Sequence, residues 1–176
     1  MVLIRLGVVF SVLLLAACDR PPDVFPPPEQ RHPVVAYNPA PEAMMVEMSD
    51  PDAALHIVKD IYGQSDPSWR WTAQNPTVKL LVLSTEHLRL HSDFAIWDTG
   101  FKSTGPLEIS FLVNGRVLDK IRYTTPGVKQ FDAPVPPDWL APDADTTLAM
   151  SLDKIYVAPK DGARFGVILV RLGLKQ

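Results

Sequence analysis

From Ala43 onward, apolar and polar residues alternate mostly with period two, and this alternation constrains the fold more than any other feature of the chain. Thr77-Val78-Lys79-Leu80-Leu81-Val82-Leu83 reads as a buried strand. In the run from His87 to Ile96, Leu88, Leu90, Phe94 and Ile96 fall on one face, with His87, Arg89, His91 and Asp93 on the other. Leu107, Ile109, Phe111 and Val113 alternate with Glu108 and Ser110, and Asn114-Gly115 then separates them from a second run, Arg116 to Tyr123. Asn-Gly between two such runs signals a tight hairpin, because both turn residues need positive φ. Strands are also expected at Val128 to Val135, across Leu148, Met150 and Leu152, and from Phe165 to Leu174, where the apolar run leaves the register open. Pro136-Pro137-Asp138-Trp139-Leu140 reads as a turn or short helical loop, and Lys160-Asp161-Gly162 as a turn. One short helix is expected within Pro51 to Tyr62, capped by Asp50, opened by Pro51 and ended by Gly63.

Seven to nine short strands with proline and glycine punctuation and little helix predict an all-β, antiparallel β-sandwich over residues 43–176. Trp69-Arg70-Trp71-Thr72, Thr104-Gly105-Pro106, Val113-Asn114-Gly115 and Pro126-Gly127 follow in an order that resembles uncharacterised bacterial proteins of the galactose-binding-like jelly-roll fold. Carbohydrate-binding modules share that fold. The resemblance spans roughly residues 50–175 and rests mostly on turn chemistry, so it implies the fold more strongly than any activity. Some relatives are fused to, or encoded with, glycan-building enzymes.

The chain has one cysteine, Cys18, so no intramolecular disulfide can hold the domain together. Arg5 is the only charge among residues 1–17, and Leu6 to Ala17 is an unbroken run of apolar or small residues ended by Asp19, Arg20, Pro21 and Pro22. That is the layout of a secretory signal peptide, and the run is short of the roughly 20 residues that a membrane-spanning helix needs. Leu15-Ala16-Ala17-Cys18 resembles the bacterial lipobox at all four positions. The resemblance implies lipidation of the Cys18 thiol and cleavage just before it. An exported lipoprotein of the cell envelope is therefore expected, held in a membrane by acyl chains at about 0.8 kcal/mol per buried methylene. An unmodified cysteine in an ordinary signal peptide is the alternative. Asp19 hints at the inner membrane, under a rule that holds only in some bacteria. Residues 18–42 contain 8 of the 18 prolines. They read as a semi-rigid polyproline II tether, or alternatively as a ligand for a proline-recognising groove.

Loss of Arg5 with the signal would take the formal charge from −3 to −4, and no basic block suits a phosphate backbone, so nucleic acid is not an expected partner. Nucleophile-elbow, zinc-protease and phosphate-loop motifs are missing, and neither an enzyme nor a cofactor is expected. His87 and His91 on one strand would stand roughly 13 Å apart, too far to share an ion, and read as a solvated polar face. Asp143, Asp145 and Asp161 supply hard oxygen but lack EF-hand spacing, and read as polar turns, with a structural calcium site as the alternative. Glu86, Asp93 and Glu108 are the carboxylates available to a glycan hydrolase, but no spacing pairs them. The candidate ligand-binding residues are Trp69, Trp71, Trp97 and Asp98. Trp69 and Trp71 share one side of an extended strand, either filling the core or offering their faces to sugar rings. Trp97 and Trp139 flank loops, and Asp98 either accepts bonds from sugar hydroxyls or shapes the turn before Gly100. The leading expectation is a non-catalytic domain that binds an envelope glycan; the alternative is a structural lipoprotein docked on another envelope protein.

Overall fold

The computed structural model describes residues 44–64 and 66–176. The expected signal peptide, lipobox with Cys18 and tether, and with them His32, lie outside the described residues. Eleven strands are present among the described residues: β1 (Met45–Glu47), β2 (Ile57–Ile61), β3 (Arg70–Val82), β4 (Arg89–Ile96), β5 (Leu107–Val113), β6 (Arg116–Tyr123), β7 (Gly127–Pro134), β8 (Ala144–Leu152), β9 (Tyr156–Val157), β10 (Arg164–Phe165) and β11 (Ile168–Lys175). Every pairing is antiparallel. One sheet contains β1, β11, β4 and β7; the other contains β2, β3, β8, β5 and β6. This is the antiparallel sandwich that the alternation predicted, in the jelly-roll form that the resemblance implied.

The two sheets meet through the residues that the alternation singled out. Leu88, Leu90, Phe94, Ile96, Leu107, Ile109, Phe111, Val113, Leu148, Met150 and Leu152 are all buried. Phe111 of β5 stacks on Phe131 of β7 with ring centroids 3.6 Å apart, and Phe94 of β4 packs against Phe111 at 6.2 Å, so the stack joins one sheet to the other. Asn114 and Gly115 take φ of 49° and 76°, as a two-residue hairpin requires. Asn114 also braces the turn from outside: its Oδ1 accepts from Thr147 N at 2.9 Å, and its Nδ2 donates to Trp139 O at 2.9 Å.

β3 is the strand that organises the rest. Its first residues, Arg70 and Trp71, pair with β11, whereas Thr77 to Val82 pair with β8. The chain thus passes from one sheet to the other within a single strand, as sandwich corners do where a bulge allows it. The bulge lies at Ala73 to Pro76. Lys59 pairs with Thr77 and Ile61 with Thr72, which leaves four residues of β3 opposite Asp60 alone.

Three expectations need correction. The helix expected over Pro51 to Tyr62 is a 3₁₀ turn that stops at Leu55, and Ile57 to Ile61 is strand β2. The cap is as read, with Asp50 Oδ1 accepting from Asp52 N at 2.8 Å, but β-branched Ile57, Val58 and Ile61 pair better on the open edge of β3. The loop expected after Trp97 is a helix, α1 (Asp98–Thr104), closed by Gly105 at φ 71°. The final apolar run is not one strand, because Gly166 and Val167 separate β10 from β11.

Candidate ligand-binding surface

The core aromatics are phenylalanines, and all four tryptophans stay at the surface, half-buried. Three of them join a continuous row. Trp69 meets Trp71 with ring centroids 5.5 Å apart, Trp71 meets Trp97 at 5.4 Å, and Trp97 meets Tyr156 at 5.4 Å, all edge to face. Phe165 packs on Trp71 at 5.1 Å, and Tyr62 on Phe165 at 6.2 Å. The backbone explains the row. Trp69 and Trp71 are two residues apart where β3 begins, and Trp71 lies opposite Ile168 of β11. Tyr156 and Phe165 are direct partners in the β9–β10 ribbon. Trp97 enters α1, whose first turn comes close because Gly100 has no side chain: a Cβ there would lie 3.3 Å from Trp97 Cε3 and 3.5 Å from Tyr156 Cβ. Edge-to-face packing fixes the rings against one another.

Beyond Tyr62 the row runs into a polar cleft of about 420 Å³, lined by Asp60, Ile61, Tyr62, Ala73, Gln74, Asn75 and Arg164. The cleft lies at the corner where β3 changes sheets. Asp60 takes φ 60°, a conformation that aspartate tolerates better than most residues, and its Oδ2 accepts from Asn75 N at 2.8 Å. Asn75 Oδ1 accepts from Ser151 Oγ at 2.9 Å, Gln74 Nε2 donates to Leu152 O at 3.1 Å, and Tyr62 Oη donates to Arg164 O at 2.7 Å. The bulge is therefore fixed from both sides.

The structure brings Trp69, Trp71 and Trp97 together but commits Asp98 elsewhere. The Asp98 side chain is 60% exposed and pairs with Lys102 at 2.6 Å along α1. Trp139 stands at the Asn114 hairpin, with the Arg116 guanidinium 5.6 Å from its ring centroid. The polar face of β4 is not solvated as expected. The His91 side chain is 7% exposed, held between Asp132 at 3.2 Å and Asp93 at 3.4 Å, while Arg171 bridges Asp93 and Glu47. Arg89 and Lys175 also pair with Asp132. The Lys175 contact above all, helped by Arg89 and His91 and opposed by burial, holds the Asp132 carboxyl down to about 2. His87 sits in the preceding turn at φ 56°.

Asp145 pairs with Lys79 at 3.0 Å, and Asp161 caps its own turn by accepting from Ala163 N at 3.0 Å. Among the described residues no group of three or more His, Cys, Asp or Glu is placed to hold a metal ion. The hydrolase carboxylates are not brought together either: Glu86 lies in a turn, Asp93 is in the ion-pair lattice, and Glu108 is on the other sheet.

Sequence reasoning missed Tyr62, Tyr156 and Phe165 in the row, and the whole of the cleft. One local signal was available, because Gln74-Asn75-Pro76 places a proline and two amides inside a strand run, the mark of a bulge. Neither a protein-family model nor a curated protein matches the chain. Among solved structures it is similar to a family 35 carbohydrate-binding module from an environmental isolate, at 10% identity over 68% of this chain and 81% of that one, with a TM-score of 0.39. It is also similar to a family 35 module from Cellvibrio japonicus, at 13% identity over 75% of this chain and 91% of that one, with a TM-score of 0.41. It spans 31% of an acetyl xylan esterase from the rumen bacterium Butyrivibrio proteoclasticus, at 12% identity over 75% of this chain, with a TM-score of 0.41.

Proposed function

We propose that the domain is a non-catalytic glycan-binding module of the cell envelope, carried on a lipid-anchored chain. The observation that carries the reading is the row Trp69–Trp71–Trp97–Tyr156, extended by Phe165. Three indoles are collected at one surface, packed edge to face and half-buried. Sugar rings present apolar C–H faces that pack on such rings, and rigid rings lose little entropy when a ligand lands on them.

Affinity-gel retardation and calorimetry of the full chain in detergent, against envelope and capsular glycans, test the reading. Trp71 touches Trp69, Trp97 and Phe165, so Trp71→Ala is expected to weaken binding at least ten-fold, about 1.4 kcal/mol. Wild-type protein retarded by none of these glycans refutes the reading. Exposed Leu55 just before β2 and Val58 within it, with Leu81 and Leu83 at the end of β3, favour the competing role of docking onto an envelope protein. In-membrane cross-linking that traps one defined protein would support that role.

Lipidation of Cys18 is the second half of the proposal. It rests on the match of Leu15-Ala16-Ala17-Cys18 to the lipobox and on the proline-rich residues that follow. Intact-mass measurement of membrane-extracted protein should show an N-terminus at Cys18 carrying acyl mass. Cys18→Ala should leave the chain unprocessed and free of that mass. An unmodified Cys18 thiol in the wild type overturns this half alone.

A further inference from the structure

We infer that the cleft at the β3 corner is a subsite for one uncharged sugar residue, lying beside the aromatic row and setting its specificity. The inference rests on the glycan-binding reading above and adds a ligand class to it. Three observations support it. The cleft is continuous with the row: Tyr62 lines it and packs on Phe165, which packs on Trp71, and Arg164 precedes Phe165 in β10. Its volume, about 420 Å³, lies in the range of small-ligand sites. Its polar groups also retain unused capacity after the internal bonds are counted. Asp60 spends Oδ2 on Asn75 N, which leaves Oδ1 to accept. Among the described residues, Asn75 uses its Oδ1 but not its Nδ2, and the Arg164 guanidinium makes one long contact, 3.5 Å, to Gln74 Oε1.

Charge selects among sugars. Asp60 and Arg164 are the ionisable acid and base lining the cleft, and they cancel. Both line one cleft, so a charged sugar that paired with one would also lie near the other: a uronate reaching Arg164 would stand near Asp60, and an ammonium reaching Asp60 would stand near Arg164. Neighbouring hydroxyls avoid both penalties, since each donates to one group and accepts from another. The β3 bulge opposite Asp60 supplies a reason for Asp60 to be there. Opposite the four extra residues Asp60 takes φ 60°, and its carboxylate meets Asn75 at the cleft.

Calorimetry of the full chain in detergent with neutral gluco- and galacto-oligosaccharides, and with the same compounds oxidised to uronic acids at C6, reads the preference directly. The neutral forms should bind at least five-fold tighter. Asp60→Asn keeps an oxygen for Asn75 N and a residue at ease with positive φ, so it should fold, and it should erase or reverse that preference by removing the anion. Arg164→Gln should weaken the neutral forms roughly ten-fold, the cost of a hydrogen bond to a charged group. Tighter binding of the oxidised forms by wild type overturns the inference and leaves the glycan-binding reading intact. So does binding that Trp71→Ala abolishes but neither Asp60→Asn nor Arg164→Gln alters. Failure of wild type to bind any of the compounds, or the envelope glycans, removes both.

Discussion

Phe111→Ala is expected to destabilise the domain by about 3–5 kcal/mol, the range for deleting a buried aromatic ring from a packed core. Phe111 is fully buried, stacked on Phe131 at 3.6 Å with planes 3° apart, and in contact with Phe94. Both contacts come from the opposite sheet, so the cavity would open at the sandwich seam, where collapse requires one sheet to move against the other. Single domains are stable by only about 5–15 kcal/mol, and this one has no disulfide to fall back on. The loss is therefore a large fraction of the total. Thermal unfolding should show a drop in Tm of roughly 10–20 °C. Val128→Ala removes an apolar side chain of similar chemistry that is 83% exposed on β7, and should change stability by under about 0.5 kcal/mol. If Phe111→Ala cost no more than Val128→Ala, the two sheets would not be meeting through this stack.

The sandwich was legible in the sequence because its strands bury one face each, and burial on one face writes a period of two. Leu107, Ile109, Phe111 and Val113 show it, and Asn114-Gly115 fixes where β5 turns into β6. Long-range geometry leaves no such trace. Tyr156 and Phe165 are nine residues apart and become partners only through the β9–β10 ribbon, so nothing local marks them as companions of Trp71. Trp69 and Trp71 were readable as a pair because two residues along a strand share a side. Trp97 joins them only because α1 approaches over Gly100, and that helix was hidden by a residue with poor helix propensity at its third position. The end of the expected first helix failed for the converse reason: Asp50 and Pro51 start a helical turn correctly, but an open strand edge claims Ile57 to Ile61. The cleft depends on a bulge, which inserts residues out of period and so weakens the very signal used to find strands.

Gly166→Ala should be the substitution that links fold to site most directly, costing about 3 kcal/mol and disturbing the aromatic row as well. Gly166 lies where the chain leaves β10 for β11 and passes close against β3. Gly166 N donates to Thr72 O at 2.7 Å, and Thr72 N donates to Val167 O at 3.0 Å. The buried Thr72 hydroxyl accepts from Val167 N at 3.0 Å and donates to Val167 O at 3.1 Å. A Cβ on Gly166 would press into the carbonyl oxygen of Ala73 and lie 2.8 Å from Thr72 Oγ1 and 3.0 Å from Leu152 Cδ2. The nearest obstacle is backbone, so no rotamer change relieves it. The strands must separate, breaking the Thr72 bonds and shifting Phe165 away from Trp71. Gly100→Ala is the informative contrast. Its nearest neighbours are side-chain atoms, at 3.3 and 3.5 Å, and alanine in place of glycine within α1 recovers about 1 kcal/mol of helix propensity. That variant should stay within about 1 kcal/mol of wild type. Urea unfolding gives the stability difference, and tryptophan emission reads the row, because Trp71 packs directly on Phe165. A Gly166→Ala protein with wild-type stability and an unchanged emission spectrum would mean that β10 does not press on β3 here, and the row would lose the contact that holds its Phe165 end.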